Sequence, residues 1–168
     1  YHFAEFPVYQ AAVAAVSYPV TQFHHGTLTQ NIVLAGRIVS IISSLFAIIA
    51  LYLLGTRYYS DKVALLAAFV YGLLPYNIFW SRAVLPDSMM VMFCLFMLYW
   101  FDVWIRGEDE HHHRLLSIKS WSFWLALICF AMALLLKAFV PFLLLPMAYI
   151  VWKRFGFSAA KQPVLWIF

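Results

Sequence analysis

Charged side chains are rare in this sequence, and a few of them lie where they could act on a phosphate-bearing substrate. Only 11% of the residues are charged, whereas 65% are hydrophobic. Cations can hold a phosphate, and carboxylates can accept a proton or bind a metal ion. The candidates for this chemistry are Glu5, Arg37, Arg82, Asp87 and Lys137.

The stretch from Trp80 to Ser88 concentrates this chemistry, because it sets Arg82 and Asp87 between two apolar runs. Pro86 disfavours helical geometry at the residue before it and suits the first turn of the next helix, so Asp87 lies near that helix's positive end. The pattern predicts a helix–turn–helix at a membrane surface, with Arg82 and Asp87 close enough to form an ion pair. The alternative is that both are boundary residues that carry a snorkelling charge.

The composition predicts an all-α, polytopic transmembrane helical bundle, since soluble domains have about a quarter of charged residues. A juxtamembrane helix is expected on the outer face. The chain begins without methionine and ends in an apolar run, so we treat it as a fragment of one transmembrane domain covering 1–168. The predicted parts are an outer segment 1–30, spans at about 31–54, 63–80, 88–105, 120–136 and 138–152, and the start of a further span from 164.

Lys137 interrupts the longest apolar region, from 121 to 152. As one helix this region would be about 48 Å long, which exceeds the ~30 Å hydrocarbon core of a bilayer. Pro141 and Pro146 favour a turn close to Lys137. The region is therefore predicted to be a hairpin with Lys137 at its tip.

The basic residues are distributed unequally between the loops, which predicts the orientation of the chain by the positive-inside rule. We expect a multi-pass protein of the plasma or inner membrane. The net charge of +4 therefore does not indicate nucleic-acid binding. The site would lie on the outer or periplasmic face. The predicted inner side holds Arg57, Lys62, Arg106, Arg114, Lys119, Lys153, Arg154 and Lys161, and the outer side holds Arg37, Arg82 and Lys137.

Four short patterns in a fixed order give the chain a family resemblance. They are Glu5-Phe6-Pro7-Val8-Tyr9, Gly36-Arg37-Ile38-Val39-Ser40, Ser81-Arg82 through Pro86-Asp87, and Leu136-Lys137-Ala138. In these patterns the chain resembles the GT-C glycosyltransferases of the family 39 and aminoarabinose-transferase type. The resemblance implies a GT-C type bundle that moves a hexosyl or pentosyl group. The implied donor is a polyprenyl-phosphate-linked sugar, and the acceptor is a lipid, glycan or protein.

The resemblance also implies roles for the charged residues. Arg37, Arg82 and Lys137 would bind the donor phosphate, and Asp87 would support catalysis. Glu5 would be catalytic and is the candidate ligand of a divalent metal ion of unknown identity. The main base is expected upstream of the first residue. Phe6 stands where relatives often have lysine, which removes a phosphate contact at that position.

Two other classes of protein fit the same composition. A multi-pass transporter or flippase for a lipid-linked or anionic substrate would line its path with these charges, and a structural membrane subunit would use them as boundaries. Transporters place ionisable groups near the bilayer midplane and show inverted repeats. Here the charges lie towards one surface and no repeat is visible, so the sequence favours the enzyme.

Overall fold

The computed structural model of the chain describes residues 8–23, 27–75, 78–79, 84–107, 120–137 and 140–155. These residues contain helices and no strand, so the all-α prediction is confirmed for them. The helices are α1 (Val8–Phe23), α2 (Leu28–Tyr58), α3 (Asp61–Leu73), α4 (Asp87–Gly107), α5 (Trp121–Leu136) and α6 (Leu144–Phe155), and a 3-10 turn (Val140–Leu143) precedes α6.

Helix α2 begins earlier than the predicted span at 31–54, because its N-terminus is capped. The Thr27 hydroxyl accepts a hydrogen bond from the Gln30 N–H at 3.4 Å, and the Gln30 side chain accepts one from the Thr27 N–H at 3.1 Å. This capping box satisfies two N–H groups that a helix start otherwise leaves unpaired. The resulting helix has 31 residues and continues to Tyr58.

Helix α3 ends at Leu73, well inside the predicted range 63–80. Leu74 has ψ near 123°, outside the helical region, and the residue after it is Pro75. A proline restricts the residue before it to extended geometry, which ends the helix at this point. Helical geometry recurs at Pro75 and at 78–79, where the Ile78 N–H donates to the Leu74 carbonyl at 3.1 Å, so the span predicted at 63–80 stays a prediction.

The helices alternate in direction along the chain. At one end of the bundle Gly36 of α2 meets Val84 just before α4, and at the other end Arg57 bonds to Asp102, so α2 and α4 run parallel. Helix α5 runs antiparallel to α4, since Lys137 at the end of α5 contacts Asp87 at the start of α4. We call these the Asp87 end and the Asp102 end; they are about 22 Å apart at ~1.5 Å rise per helical residue.

The main core lies between α4, α5 and α6. Aromatic side chains dominate it, and the rings of Trp104 and Phe123 are 5.0 Å apart between centroids. Small residues of α5, among them Ala126 and Ala133, allow the helices to approach closely. The other buried members are Met97, Phe101, Ile105, Phe130, Val140, Met147 and Val151.

The outside of the bundle is apolar as well, which is expected of a protein surrounded by lipid. On α3, Leu65, Leu66 and Phe69 are each more than 60% exposed. Two helices, Leu28–Tyr58 and Asp87–Arg106, are long and apolar enough to cross a bilayer, and Trp121–Leu136 and Val140–Lys153 are shorter apolar helices. These features support the prediction of a membrane protein.

Candidate functional site at the Asp87 end

Asp87 and Lys137 are brought together by two helix ends. The Met90 N–H donates to the Pro86 carbonyl at 2.9 Å, which starts α4 with Asp87 in its first turn. The Lys137 N–H donates to the Ala133 carbonyl at 3.1 Å and closes α5. The Lys137 ammonium then donates a hydrogen bond to the Asp87 carboxylate, and both side chains remain about a quarter exposed.

A second apolar cluster packs beside this ion pair, towards the interior of the bundle. Leu136, next to Lys137, is 3% exposed and packs with Ala35 and Val39 of α2. Met90 of α4 lies against the same cluster. The packing fixes the backbone on both sides of the pair, so the two charged groups are held by buried neighbours.

Helix α1 is attached to the same end through Tyr9. Its hydroxyl donates to the Gly36 carbonyl at 3.3 Å and lies 3.2 Å from the Ser40 hydroxyl. Burial raises the pKa of the Tyr9 phenol above its ordinary value, although the hydrogen bond with Ser40 lowers it. The phenol therefore keeps its proton at neutral pH, and that proton is the one donated to the Gly36 carbonyl.

Gly36 explains how the segment before α4 reaches this position. A Cβ atom at Gly36 would lie 2.5 Å from Cγ1 of Val84, closer than real side chains approach. Only glycine lets Val84 sit directly on α2, and Asp87 follows three residues later. The Gly36-Arg37 pattern thus has a packing role besides the charge of its arginine.

The other predicted site residues do not join this pair in the part of the chain that the structure describes. Arg37 is exposed, and no ion pair within the described residues joins it to Asp87. With Thr29 and Gln30 it lines an open cavity of about 450 Å³. Glu5 and Arg82 lie outside the described residues, so the predicted Arg82–Asp87 pair stays a prediction, and the observed partner of Asp87 is Lys137.

Comparison with known proteins decides the family. Residues 20–167 match the family described as dolichyl-phosphate-mannose-protein mannosyltransferase. The chain belongs to this family. A search of curated proteins and a search of solved structures each found no match.

Membership of the mannosyltransferase family confirms the predicted relationship to GT-C glycosyltransferases. At the family level the protein is a membrane glycosyltransferase, and the donor class is a polyprenyl-phosphate sugar. The matched range includes Arg37, Arg82, Asp87 and Lys137, whereas Glu5 precedes it.

The predicted metal ion finds no site in the described residues of this mannosyltransferase-family chain. They contain no group of three or more His, Cys, Asp or Glu side chains that could hold a metal. Asp87 supplies one carboxylate and is already bonded to Lys137. The metal and its candidate ligand Glu5 remain predictions, and no step proposed below passes through a metal.

A second charged cluster, at the Asp102 end, was not predicted as a site. Asp102 is 1% exposed; it accepts from Arg57 Nε at 2.6 Å, from the Tyr58 hydroxyl at 2.6 Å and from Arg106 Nε at 3.0 Å. The sequence signal was a carboxylate inside an apolar run with a cation four residues later. The sequence predicted Arg57 only as a charge in a loop, because its partner Asp102 lies 45 residues away in the chain.

Proposed function

We propose that the Asp87 end holds the phosphate of the polyprenyl-phosphate sugar and faces the outer side of the membrane. The observation that carries the proposal is the Lys137–Asp87 contact, which joins two charges 50 residues apart that belong to two of the family-like sequence patterns. An ion pair that is a quarter exposed, above buried packing, can exchange a partner for a substrate group. The contrast is Asp102, which is 1% exposed and whose carboxylate already bonds to Arg57, Tyr58 and Arg106.

The chemistry assigns different tasks to the two residues. Transfer breaks the bond between the anomeric carbon and the phosphate oxygen, so negative charge grows on the leaving phosphate. An ammonium group has three N–H donors and can contact Asp87 and a phosphate oxygen together. Lys137 then stabilises the leaving phosphate, and Asp87 orients the ammonium. Both are positioned by rigid helix ends.

The remaining parts of the reaction belong to groups outside this pair. The acceptor hydroxyl must lose a proton, and a carboxylate is the natural base. Glu5 and a residue upstream of the chain's first residue remain the candidates. Arg37 and Arg82 are proposed as further donor-phosphate contacts, because the first lies next to Gly36 at the Asp87 end and the second precedes Asp87 by five positions.

The face of the membrane follows from charge. Three basic residues lie at the Asp102 end: Arg57 at the end of α2, Lys62 at the start of α3 and Arg106 at the end of α4. Basic residues favour the cytoplasmic side of a membrane. The Asp87 end then faces outward. We accordingly propose a multi-pass plasma or inner membrane protein. The acceptor is a lipid, glycan or protein on that outer side.

The test replaces Lys137 in the full-length protein and measures transfer from a polyprenyl-phosphate sugar in purified preparations. Lys137→Gln should lower kcat by roughly a hundredfold, the typical loss when one donor to a developing negative charge is removed. Lys137→Arg keeps the charge and should retain more activity than the glutamine variant. Lys62→Gln, which removes a lysine near the Asp102 end, is the matched control and should be unchanged. Normal transfer by Lys137→Gln would refute the proposal.

A further inference from the structure

A small cavity lies at the Asp102 end, where α2, α4 and α6 meet. It measures about 190 Å³, and its polar lining residues are Tyr58, Asp102, Arg106, Tyr149 and Lys153, with Ile105 and Ile150 completing its walls. It is distant from the Asp87–Lys137 pair, by about 22 Å along α4 at ~1.5 Å per residue. The proposed transfer chemistry makes no use of it.

The charges around the cavity do not balance. Asp102 is the carboxylate of the cluster, and its two oxygens are taken by Arg57, Tyr58 and Arg106. Two guanidinium groups thus share one buried carboxylate. Lys153 adds a further positive charge, and no carboxylate in the described residues lies within ion-pairing distance of it. Among the described residues, the cavity therefore has an excess of positive charge.

The donors around the cavity are arranged so that a ligand can reach them. Arg106 donates a hydrogen bond from Nη1 to the Arg57 carbonyl at 3.2 Å, and its guanidinium carbon lies 4.7 Å from the centre of the Tyr58 ring. These contacts fix the guanidinium, yet its side chain is still 37% exposed. Lys153 and Tyr149 lie on the opposite wall, on α6, and both are exposed. A phosphate between the two walls would meet donors from both.

The size and walls of the cavity indicate which part of a ligand enters. Cavities for drug-sized ligands measure about 300–1,000 Å³, so this one has room for a headgroup fragment and not for a whole lipid or nucleotide. Ile105 and Ile150 supply apolar surface beside the cations. Basic pockets between transmembrane helices on the cytoplasmic side are typical sites of anionic lipid headgroups.

We propose that this cavity binds a phosphate group, with Arg106 and Lys153 as its cationic contacts and the headgroup of an anionic membrane lipid as its main source. The lipid's acyl chains would lie along the apolar outside of the bundle. Binding would join α4 to α6 across the cavity and stabilise this end of the molecule. A soluble phosphate compound offers the same chemistry, and the experiment separates the two sources.

The experiment titrates the full-length protein, in a neutral detergent, with phosphatidylglycerol, with phosphatidylcholine of the same acyl chains, and with inorganic phosphate, and follows the thermal unfolding temperature. Phosphatidylglycerol should raise it and phosphatidylcholine should not. Lys153→Gln should weaken the apparent affinity about fivefold, the equivalent of the ~1 kcal/mol that one basic residue contributes near an anionic surface. Lys62→Gln, an exposed lysine near the same end, should bind as the wild type does.

The titrations either identify the ligand of the cavity or show that the cavity binds none. A shift with phosphatidylglycerol alone identifies a lipid headgroup, and an equal shift with inorganic phosphate, lost in Lys153→Gln, identifies a soluble phosphate. Tyr149→Phe is a second variant on the same wall and should also weaken binding. Equal responses to the two lipids with none to phosphate, or equal affinities of Lys153→Gln and Lys62→Gln, would overturn the proposal. Transfer activity does not enter the readout, so the result is independent of the proposed transfer chemistry, and only the cytoplasmic side of this end rests on the orientation proposed above.

Discussion

Asp87 and Asp102 both lie on α4, but their surroundings give them opposite properties. Asp102 is 1% exposed and bonded to two arginines and a tyrosine, whereas Asp87 is a quarter exposed and bonded to Lys137. A buried carboxylate with several hydrogen-bond partners holds its neighbours in place. A carboxylate with one exposed partner leaves that cation able to contact a substrate. At the residue scale, we therefore propose a structural role for Asp102 and a role in substrate binding for the Asp87–Lys137 pair, at opposite ends of one helix.

The first prediction concerns Asp102→Asn, which keeps the size of the side chain and removes its charge. Arg57 and Arg106 would then lack their shared carboxylate. We expect a loss of about 2–3 kcal/mol of unfolding free energy, less than the roughly 3–5 kcal/mol for a fully buried pair because both arginines reach solvent. Thermal unfolding of the purified variant measures this.

Asp61→Asn is the control for that experiment, since Asp61 is an exposed carboxylate in the first turn of α3. Its stability should change by less than about 1 kcal/mol, the range of a helix-terminus charge. If Asp102→Asn is no less stable than Asp61→Asn, the cluster at the Asp102 end does not hold the helices together.

At the scale of helices, glycines at the crossing points determine how closely neighbouring segments pack. Gly36 lets Val84 sit on α2, and Gly55 does the same for α3, where an added Cβ would be 2.9 Å from the Cβ of Ala64. Small residues at such crossings are typical of helices packed in membranes. The first of these contacts sets the position of the segment that leads into Asp87.

The second prediction is that Gly36→Ala impairs transfer in the full-length protein. Alanine in place of glycine gains up to ~1 kcal/mol of helix propensity, but overpacking against Val84 costs about 1–3 kcal/mol and displaces the start of α4. Transfer should fall more than membrane abundance does. The double variant Gly36→Ala, Val84→Ala removes the clash and should recover most of the activity.

Gly72→Ala is the matched control, because its Cβ would meet only the flexible end of Ile48 at 3.3 Å. That variant should keep wild-type transfer and abundance. If Gly36→Ala is equally harmless, the contact with Val84 does not position the site.

At the element scale, the sequence predicted the helices well and their ends less well. Long apolar runs identified α2, α4 and α5, since burial in a bilayer requires apolar residues on all sides. The start of α2 depended on the side chains of Thr27 and Gln30, and the end of α3 on Pro75. Such local hydrogen bonds and steric limits do not change the average hydrophobicity of a window.

Among the described residues, more basic side chains lie towards the Asp102 end than towards the Asp87 end, and the positive-inside rule then predicts that the Asp102 end faces the cytoplasm. The third prediction uses cysteines introduced singly after Cys94 and Cys129 have been replaced. Ser60→Cys, in the exposed turn between α2 and α3, should be protected from an impermeant thiol reagent in intact cells. Leu28→Cys, 72% exposed in the first turn of α2, should be labelled. The reverse labelling pattern would place the Asp87 end inside the cell.

The site was only partly predictable, because charge pairing is a property of the whole bundle. The sequence selected Asp87 and Lys137 as site residues, and the structure brings these two together. It did not reveal that they are partners, since the nearest cation along the chain is Arg82. Two helix ends separated by 50 residues had to meet before the pairing existed.

The most direct test of the donor-phosphate proposal removes both charges at once, in the double variant Lys137→Gln, Asp87→Asn of the full-length protein. If the pair is only structural, no uncompensated charge remains, and folding and transfer should both be preserved. If Lys137 holds the leaving phosphate, the protein should fold but lose roughly a hundredfold in kcat. Transfer from a polyprenyl-phosphate sugar, measured with membrane abundance and unfolding temperature on the same preparations, decides between the two. We predict a folded protein whose kcat is lower by roughly a hundredfold, and wild-type transfer by the double variant would contradict the proposal.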